Sequence, residues 1–468
     1  MSTRVKVAVR LRPMNQRELK IGGDCIVKIK NNRTEVIHPK RRDVKPKVFT
    51  FDNCFWSCDN SQHFVDQSEV FESIGTEVVQ HSFDGFNSCI FAYGQTGSGK
   101  SYTMMGSKSD IGLIPRVANE LITTFENMNC KTNRIVLELS YMEIYNEKVK
   151  DLLNPQSPSN ANIYLKVREN KSYGTYVDGL SKLVVNSYDE IEKHISFGSL
   201  SRSVAQTNMN NESSRSHAVL TIYVTQIAFD SETKTKSEKV SKLSLVDLAG
   251  SERAEKTGAK GDRLREGSNI NKSLTTLGLV ISALADAKKK NNFVPYRDSV
   301  LTWLLKDNLG GNSKTIMMAT ISPSGDNYEE TLSTLRYANS AKNITNLAVI
   351  NEDPTTALIR ELREELDRLR LVVANKSVNS QSITSLSTLN DTIDANERLM
   401  KDISKTYDEK LEETAKIDSC RLNSLREIGV TIEKQGITVK KNTFYLINLS
   451  SDPSLDLMLV YYLNVYFL

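Results

Sequence analysis

The string Gly94-Gln95-Thr96-Gly97-Ser98-Gly99-Lys100-Ser101, entered directly from the apolar run Cys89-Ile90-Phe91-Ala92-Tyr93, constrains this chain more than any other feature. It fills the pattern GxxxxGKS/T completely, and the run before it reads as a buried strand. The glycines let successive backbone N–H groups curl around phosphate oxygens, and the helix that starts here adds its positive end. Lys100 has the reach for β- and γ-phosphates, and the Ser101 hydroxyl suits a magnesium ion. A Gly/Ser-rich turn that merely precedes a lysine is the competing reading, and it leaves the strand unexplained.

Such a loop needs an acidic residue at the end of a neighbouring strand to hold the metal through water. Leu243-Ser244-Leu245-Val246-Asp247 supplies Asp247, and Gly250 follows three residues later, where a backbone N–H can face a γ-phosphate. The guanine-reading pattern Asn-Lys-x-Asp is absent: Asn271-Lys272-Ser273-Leu274 lacks the aspartate, which argues against GTP. Further strand-like runs at 135–145, 219–227, 243–248 and 315–321 alternate with amphipathic segments. That alternation predicts an α/β fold with a central, mostly parallel or mixed sheet flanked by helices.

With 468 residues, two or three units are expected. A net charge of +4 names no polyanionic partner, nucleic acid included, so any electrostatic partner must be met by a local patch. The six cysteines are scattered and fit a reducing, cytosolic setting. Cys54, Cys58 and His63 lie close in sequence, but no second ligand pair follows, so zinc is not expected. The N-terminus lacks a signal-peptide core. The apolar run 457–468 falls short of the ~20 residues a spanning helix needs, so it reads as a strand rather than an anchor.

Composition changes after Asn351-Glu352-Asp353-Pro354, which closes a first domain over 1–352. In 355–373, Ile359, Leu362, Leu366, Leu369 and Val373 step by three and four, which predicts a short coiled-coil helix or an amphipathic helix docked on the domain. Residues 374–390 read as a flexible linker and 391–428 as one polar helix, its apolar seam spoiled at Lys410 and Thr414. Residues 430–468 have strand character.

Three more strings carry a resemblance. Asn210-Asn211-Glu212-Ser213-Ser214-Arg215-Ser216-His217, Asp247-Leu248-Ala249-Gly250-Ser251-Glu252 and Arg10-Leu11-Arg12-Pro13 stand in order around the phosphate loop. They resemble the switch I, switch II and base-binding motifs of kinesins, over residues 4 to about 352. The resemblance implies the P-loop kinesin motor fold, followed by a neck coil. It implies ATP and Mg²⁺ as ligands and an ATP hydrolase stepping toward microtubule plus ends. Ser213 and Ser214 would offer hydroxyls to metal, phosphate or water, with Ser214 a metal ligand beside Ser101 and Asp247. Arg215 and Glu252 would pair when the loops close, with Glu252 the proton route from the attacking water. Arg10, Pro13 and Tyr102 would flank the adenine, although Tyr102 also suits a packed core position.

The same likeness places Lys288, Lys289 and Lys290 in a loop facing acidic tubulin, with Arg297 and Lys171 as further contacts. It sets a neck linker over about 341–352, with Ile344 as anchor, Asn351 as latch and the N-terminal strand as cover. The string AVINEDP and the lysine loop are similar to the kinesin-3 family, and 436–462 resembles the start of a forkhead-associated domain that stops early. A homodimer through the neck, vesicle or endosome cargo through a tail, and a place on the cytoplasmic microtubule cytoskeleton are implied. The competing reading is a non-motile kinesin-like ATPase that binds microtubules or regulates their ends.

Overall fold

The computed structural model describes residues 2–22, 24–41, 43–128, 133–154, 164–170, 174–206, 215–229, 236–252, 262–286 and 293–351, and beyond these 368, 391, 393–399, 405, 407–427 and four short strands up to 462. The chain opens with β1 (Ser2–Arg4) and β2 (Lys6–Leu11). Strands β3 (Val27–Lys30), β4 (Arg33–Val36) and β5 (Lys47–Thr50) form a small antiparallel sheet. Then come β6 (Asn53–Trp56), β7 (Ser88–Tyr93), β8 (Asn133–Tyr145) and β9 (Lys148–Asp151). A hairpin of β10 (Lys166–Asn170) and β11 (Gly174–Asp178) precedes β12 (Leu183–Val185). The last strands of the domain are β13 (His217–Phe229), β14 (Lys236–Asp247), β15 (Lys314–Ile321) and β16 (Thr345–Leu347).

The main sheet runs β12-β8-β13-β14-β7-β15-β2-β6, with β9 paired to β8. Its β14-β7-β15-β2-β6 half is parallel and its β12-β8-β13-β14 half antiparallel, in agreement with the mixed sheet expected. Side chains of β7 alternate between the two faces: Cys89, Phe91 and Tyr93 enter one core, Ile90 and Ala92 the other. Both faces are therefore covered, which is why the run is apolar throughout.

The helices that cover the sheet are α1 (Gln16–Ile21), α2 (Gln67–Val70), α3 (Thr76–Asp84), α4 (Lys100–Met104), α5 (Leu113–Met128), α6 (Tyr188–Gln206), α7 (Asp262–Ala285), α8 (Val300–Leu304) and α9 (Tyr328–Ala341). In α5 the buried residues Leu113, Ile114, Val117, Ala118, Leu121, Ile122 and Phe125 recur at three and four, so one stripe faces the sheet. Helix α1 begins with a reciprocal cap: Asn15 Oδ1 accepts from Glu18 N at 2.8 Å, and Glu18 Oε2 accepts from Asn15 N at 2.9 Å.

The neck coil 355–373 and the linker 374–390 lie outside the described residues, apart from helical Arg368. The single helix expected over 391–428 is corrected: 393–399 and Tyr407–Glu427 are helical, and Lys405 between them is not. The residues that spoil the apolar seam turn out to dock the second piece. Lys410 Nζ binds Glu138 Oε2 at 3.0 Å, Val184 N donates to Thr414 Oγ1 at 3.1 Å, Ile417 packs on the core, and the Arg421 guanidinium lies 4.1 Å from the Phe197 ring centre. These positions step by four, three and four, so they share one face. They cover edge strand β12, whose Val184 N–H would otherwise be open. Farther on, Ile432–Glu433 pairs with Gly436–Ile437, and Tyr445–Ile447 pairs with Val460–Tyr462. Among the described residues no helix is long and apolar enough to cross a membrane.

Candidate functional site

The parallel register sets the site. Asp247 stands beside Ala92, Ala319 beside Tyr93 and Thr320 beside Arg10, so β14, β7, β15 and β2 all end at one edge. Ligands of open α/β sheets bind beyond such carboxyl ends. The loop Gly94–Gly99 leaves β7 there. Gly99 takes φ +100°, a left-handed conformation that turns the chain into α4. Because α4 spans only five residues, the loop's own N–H groups rather than a long helix are the anion donors.

Lys100 is buried and folds back over its loop, donating from Nζ to Gly94 O at 2.9 Å and Gln95 O at 3.0 Å. The Ser101 hydroxyl donates to Asp247 Oδ2 at 2.7 Å. A hydroxyl and a carboxylate thus meet at the mouth of the loop, a hard oxygen donor set that fits Mg²⁺. One further group stands beside Asp247. Arg202 on α6 is buried, with Nη1 3.9 Å from Asp247 Oδ2 and Nε 3.4 Å from Glu143 Oε1. Arg202 also donates to Ser216 O at 3.1 Å, at the start of β13.

His217 joins three elements. Ala249 N donates to its Nδ1 at 3.0 Å, and its Nε2 lies 2.7 Å from Ser273 Oγ on α7. Accepting at Nδ1 fixes the proton on Nε2, so the ring is neutral. Burial, then Arg202 and Lys100, holds its pKa down at about 3.

Glu252 rests on the phosphate loop: Thr96 N and Thr96 Oγ1 donate to its carboxylate at 2.8 and 2.5 Å. Gly250 lies tight against this contact. A Cβ there would stand 2.2 Å from Thr96 Oγ1 and 2.4 Å from Glu252 Oε2. Arg215 is half-buried beside β13, whereas Ser213 and Ser214 lie outside the described residues.

The base side differs in detail from the sequence reading. Arg10 is buried, with Nη1 donating to Gln67 Oε1 at 2.6 Å and to Thr103 Oγ1 at 3.2 Å, and Nε donating to Ser57 Oγ at 3.1 Å. Its guanidinium lies 5.5 Å from the Tyr102 ring centre, so it acts as a prop behind that ring. Tyr102 is half-buried and donates to Asp110 Oδ2 at 2.7 Å. Burial and that bond push its phenol up to about 12. Pro13, nearby in sequence, is exposed. Arg12 escaped the sequence reading. Its Nε donates to Gly97 O at 2.6 Å, and its fork closes on Glu18 at 2.6 and 2.7 Å.

On the far side of the sheet the segment after α9 is tied down. Ile344 is fully buried, and β16 pairs antiparallel with β1. Asn346, also missed in sequence, is buried; it accepts from Gly310 N at 2.8 Å and donates to Asn308 O at 3.0 Å and Ser313 O at 2.7 Å. Asn351 donates to Asn87 Oδ1 at 2.9 Å and Val240 O at 3.0 Å, and its own N–H reaches Gly85 O at 3.0 Å.

Of the cations read as tubulin contacts, Lys171 and Lys288–Lys290 lie outside the described residues. Arg297 is exposed but engaged: Nη2 reaches Glu169 Oε2 at 2.6 Å, and its guanidinium covers the Trp303 ring at 5.3 Å. Lys306 binds the same carboxylate, and the two cations hold the Glu169 pKa down at about 2. Elsewhere, the Cys54–Cys58–His63 group is dispersed: Cys54 pairs with Thr34 and His63 with Glu69.

Two family descriptions match the chain, Kinesin motor domain over residues 10–344 and Kinesin-associated over residues 375–465. Kinesin-like protein KIF13A of Mus musculus is 53% identical over 473 residues, covering 99% of this chain and 26% of its own length. Kinesin-like protein unc-104 of Caenorhabditis elegans is 48% identical over 487 residues, covering 98% of this chain and 30% of its own. The chain thus spans about a quarter to a third of the length of these relatives. A solved KIF14 dimer, two-heads-bound with AMP-PNP in complex with a microtubule, is similar at TM-score 0.71 and 44% identity, covering 77% of this chain and 100% of that one. A fast kinesin is similar at TM-score 0.66 and 42% identity, covering 75% and 94%.

Proposed function

Because the chain belongs to the kinesin family, in its kinesin-3 branch, we propose that it hydrolyses ATP under microtubule stimulation and couples turnover to plus-end-directed movement. The observation that carries this reading is the meeting of Ser101 and Asp247 at 2.7 Å beside a Lys100-held phosphate loop, in a domain whose C-terminal strand is tied to its N-terminal one.

Ser101 and Asp247, with Ser214, would hold Mg²⁺, which when bound offsets the charge of the phosphates. Lys100 would exchange the carbonyls of Gly94 and Gln95 for phosphate oxygens, at small cost, because its charge is satisfied in both positions. Glu252 would leave Thr96 and pair with Arg215, closing the site and taking the proton from the attacking water. Gly250 would turn its N–H to the γ-phosphate. Little covalent work falls to the protein, since positioning carries phosphoryl transfer. Tyr102 and Pro13 would face the base, with Arg10 behind.

The polar contacts of Asn346 and Asn351 support neck-linker docking as the output step. Acidic tubulin would meet Lys288–Lys290, with Arg297 and Lys171 as lesser contacts. Dimerisation through 355–373 and vesicle or organelle cargo rest on the kinesin-3 likeness alone.

Microtubule-stimulated ATPase tests the enzyme. Turnover should rise steeply with microtubules and collapse in Glu252→Ala and Gly250→Ala; turnover indifferent to microtubules would sink the proposal. With the chain fixed to glass, polarity-marked microtubules should glide minus end first, and plus-end-first gliding would overturn the direction.

A further inference from the structure

Strands β8 and β9 pair Tyr145 with Lys148, so Asn146 and Glu147 alone make the turn between them. Both are left-handed, at φ +53° and +59°. A two-residue turn of this hand matches the twist of the strands, and Asn-Gly fills it by preference. Here glutamate stands where glycine is expected. Among the described residues, three other than glycine take a positive φ, and Glu147 is the one that is not an asparagine. Such a conformation persists where its surroundings hold it.

The carboxylate shows what holds it. Glu147 is half-buried. The Ser299 hydroxyl donates to its Oε1 at 3.0 Å, and Val300 N donates to its Oε2 at 2.8 Å. Both donors stand at the start of α8, 152 and 153 residues along the chain. Ser299 is buried and also accepts from Leu301 N at 3.2 Å. The turn Tyr296–Asp298 leads straight into this joint, and Thr302 Oγ1 binds back to Tyr296 O at 2.7 Å. Glu169 on β10 takes the rest of the segment: Arg297, Trp303 Nε1 at 3.3 Å, and Lys306. Two glutamates from two hairpins therefore pin residues 296–306.

We propose that Glu147 is a positioning residue for the track-facing surface: it fixes segment 296–306, and with it Arg297, before a microtubule is met. This role rests on the track reading given above. Glu147 acts through Ser299 and Val300, and the exposed Arg297 is what it places. A cation already held in place loses less freedom on binding, so the clamp adds affinity without adding a contact.

The test compares Glu147→Gly, Glu147→Ala and Glu147→Gln in the full chain. Glycine relaxes the backbone but removes both bonds. Glutamine keeps an acceptor for Val300 N and can donate to Ser299 Oγ. Exchange of the Val300 amide should accelerate in Glu147→Gly and stay slow in Glu147→Gln. Microtubule affinity should fall about 3- to 30-fold in Glu147→Gly and return in Glu147→Gln, with basal ATP turnover and ADP affinity unchanged in both. If Glu147 acted only through its charge, both variants would bind acidic tubulin more tightly than the natural chain, and that result overturns the positioning role. Equal microtubule affinity in Glu147→Gly and the natural chain overturns it too. Glu147→Ala keeps the strained backbone and loses both bonds, so it should melt below Glu147→Gly; melting above it would refute the strain. A natural chain that binds no microtubules would sink the track reading and this role together, whereas unchanged Val300 exchange in Glu147→Gly would sink the clamp alone.

Discussion

Asn346→Ala should release the segment after α9 while leaving the domain folded. The segment buries little apolar surface of its own past Ile344 and Ala348: Leu347 is 63% exposed and Val349 56%. Its hold is therefore largely polar. Asn346 is 1% exposed and supplies one acceptor and two donor N–H groups. Truncation strands Gly310 N–H and the carbonyls of Asn308 and Ser313, with Thr315 Oγ1 at 3.1 Å also losing a partner. Three such bonds at about 1 kcal/mol each, net, set a cost of ~2–4 kcal/mol. That corresponds to a shift of about 30- to 1,000-fold toward the released segment. Hydrogen exchange reads this at three amides with assigned acceptors: Leu347 N on Gly311 O, Val349 N on Asn312 Oδ1 and Asn351 N on Gly85 O. Their exchange should accelerate by that factor, while amides of the β13–β14 ladder keep their protection. Asn346→Asp should be worse than Ala, because its oxygens would face two carbonyls. Exchange at the three amides unchanged in Asn346→Ala would show that the asparagine does not hold the segment, and the reasoning would fall.

Arg12→Lys keeps the charge but loses the fork on Glu18 and the reach to Gly97 O, so ADP should bind about 10- to 100-fold more weakly; equal affinity in a titration would contradict this role. Burial keeps the folded His217 pKa near 3, below its ordinary value of 6.5, so its contribution to stability is present above pH 6.5 and is lost as pH falls toward 3. Urea midpoints should therefore fall between pH 6.5 and 4 with up to about 1.4 kcal/mol per pH unit more slope than in His217→Asn, and parallel slopes would refute it. Arg421 Nη1 donates to His194 Nδ1 at 2.8 Å, and burial followed by Arg421 holds the pKa of that ring down at about 4. In Arg421→Ala the imidazole should titrate closer to 6.5 by NMR and the helix Tyr407–Glu427 should be cut faster by protease; an unmoved titration would exclude the contact.

Residues that act through contiguous geometry were legible in the sequence. A phosphate loop must be a local string, so Gly94–Ser101 stood out, and strand alternation gave the sheet around it. Ile344 and Asn351 came from resemblance, and their side chains are buried and bonded as described above. Arg12, Arg202 and Asn346 did not stand out because the contacts that tie them to the site join separate parts of the chain: Gly97 is 85 residues from Arg12, and Gly310 is 36 from Asn346. Arg297 came from resemblance as a tubulin contact, and its bond to Glu169, 128 residues away, did not show in the sequence for the same reason. The seam of the helix Tyr407–Glu427 was misread because only apolar residues were counted. Lys410, Thr414 and Arg421 dock through their polar ends, which hydrophobic periodicity does not register.

Strand β7 ends in the phosphate loop and begins beside Asn87, whose amide joins Lys242 N, Asn312 O and Asn351. Six residues make a bar about 20 Å long. It is buried along its whole length and laddered on both sides, to β14 and β15. Such a bar can neither stretch nor bend appreciably. Whatever happens to a phosphate at one end is therefore not pushed down β7 to the asparagines at the other. For the proposed motor the bar is a fulcrum: any parts that differ between states would pivot around it, with its two ends keeping a fixed spacing.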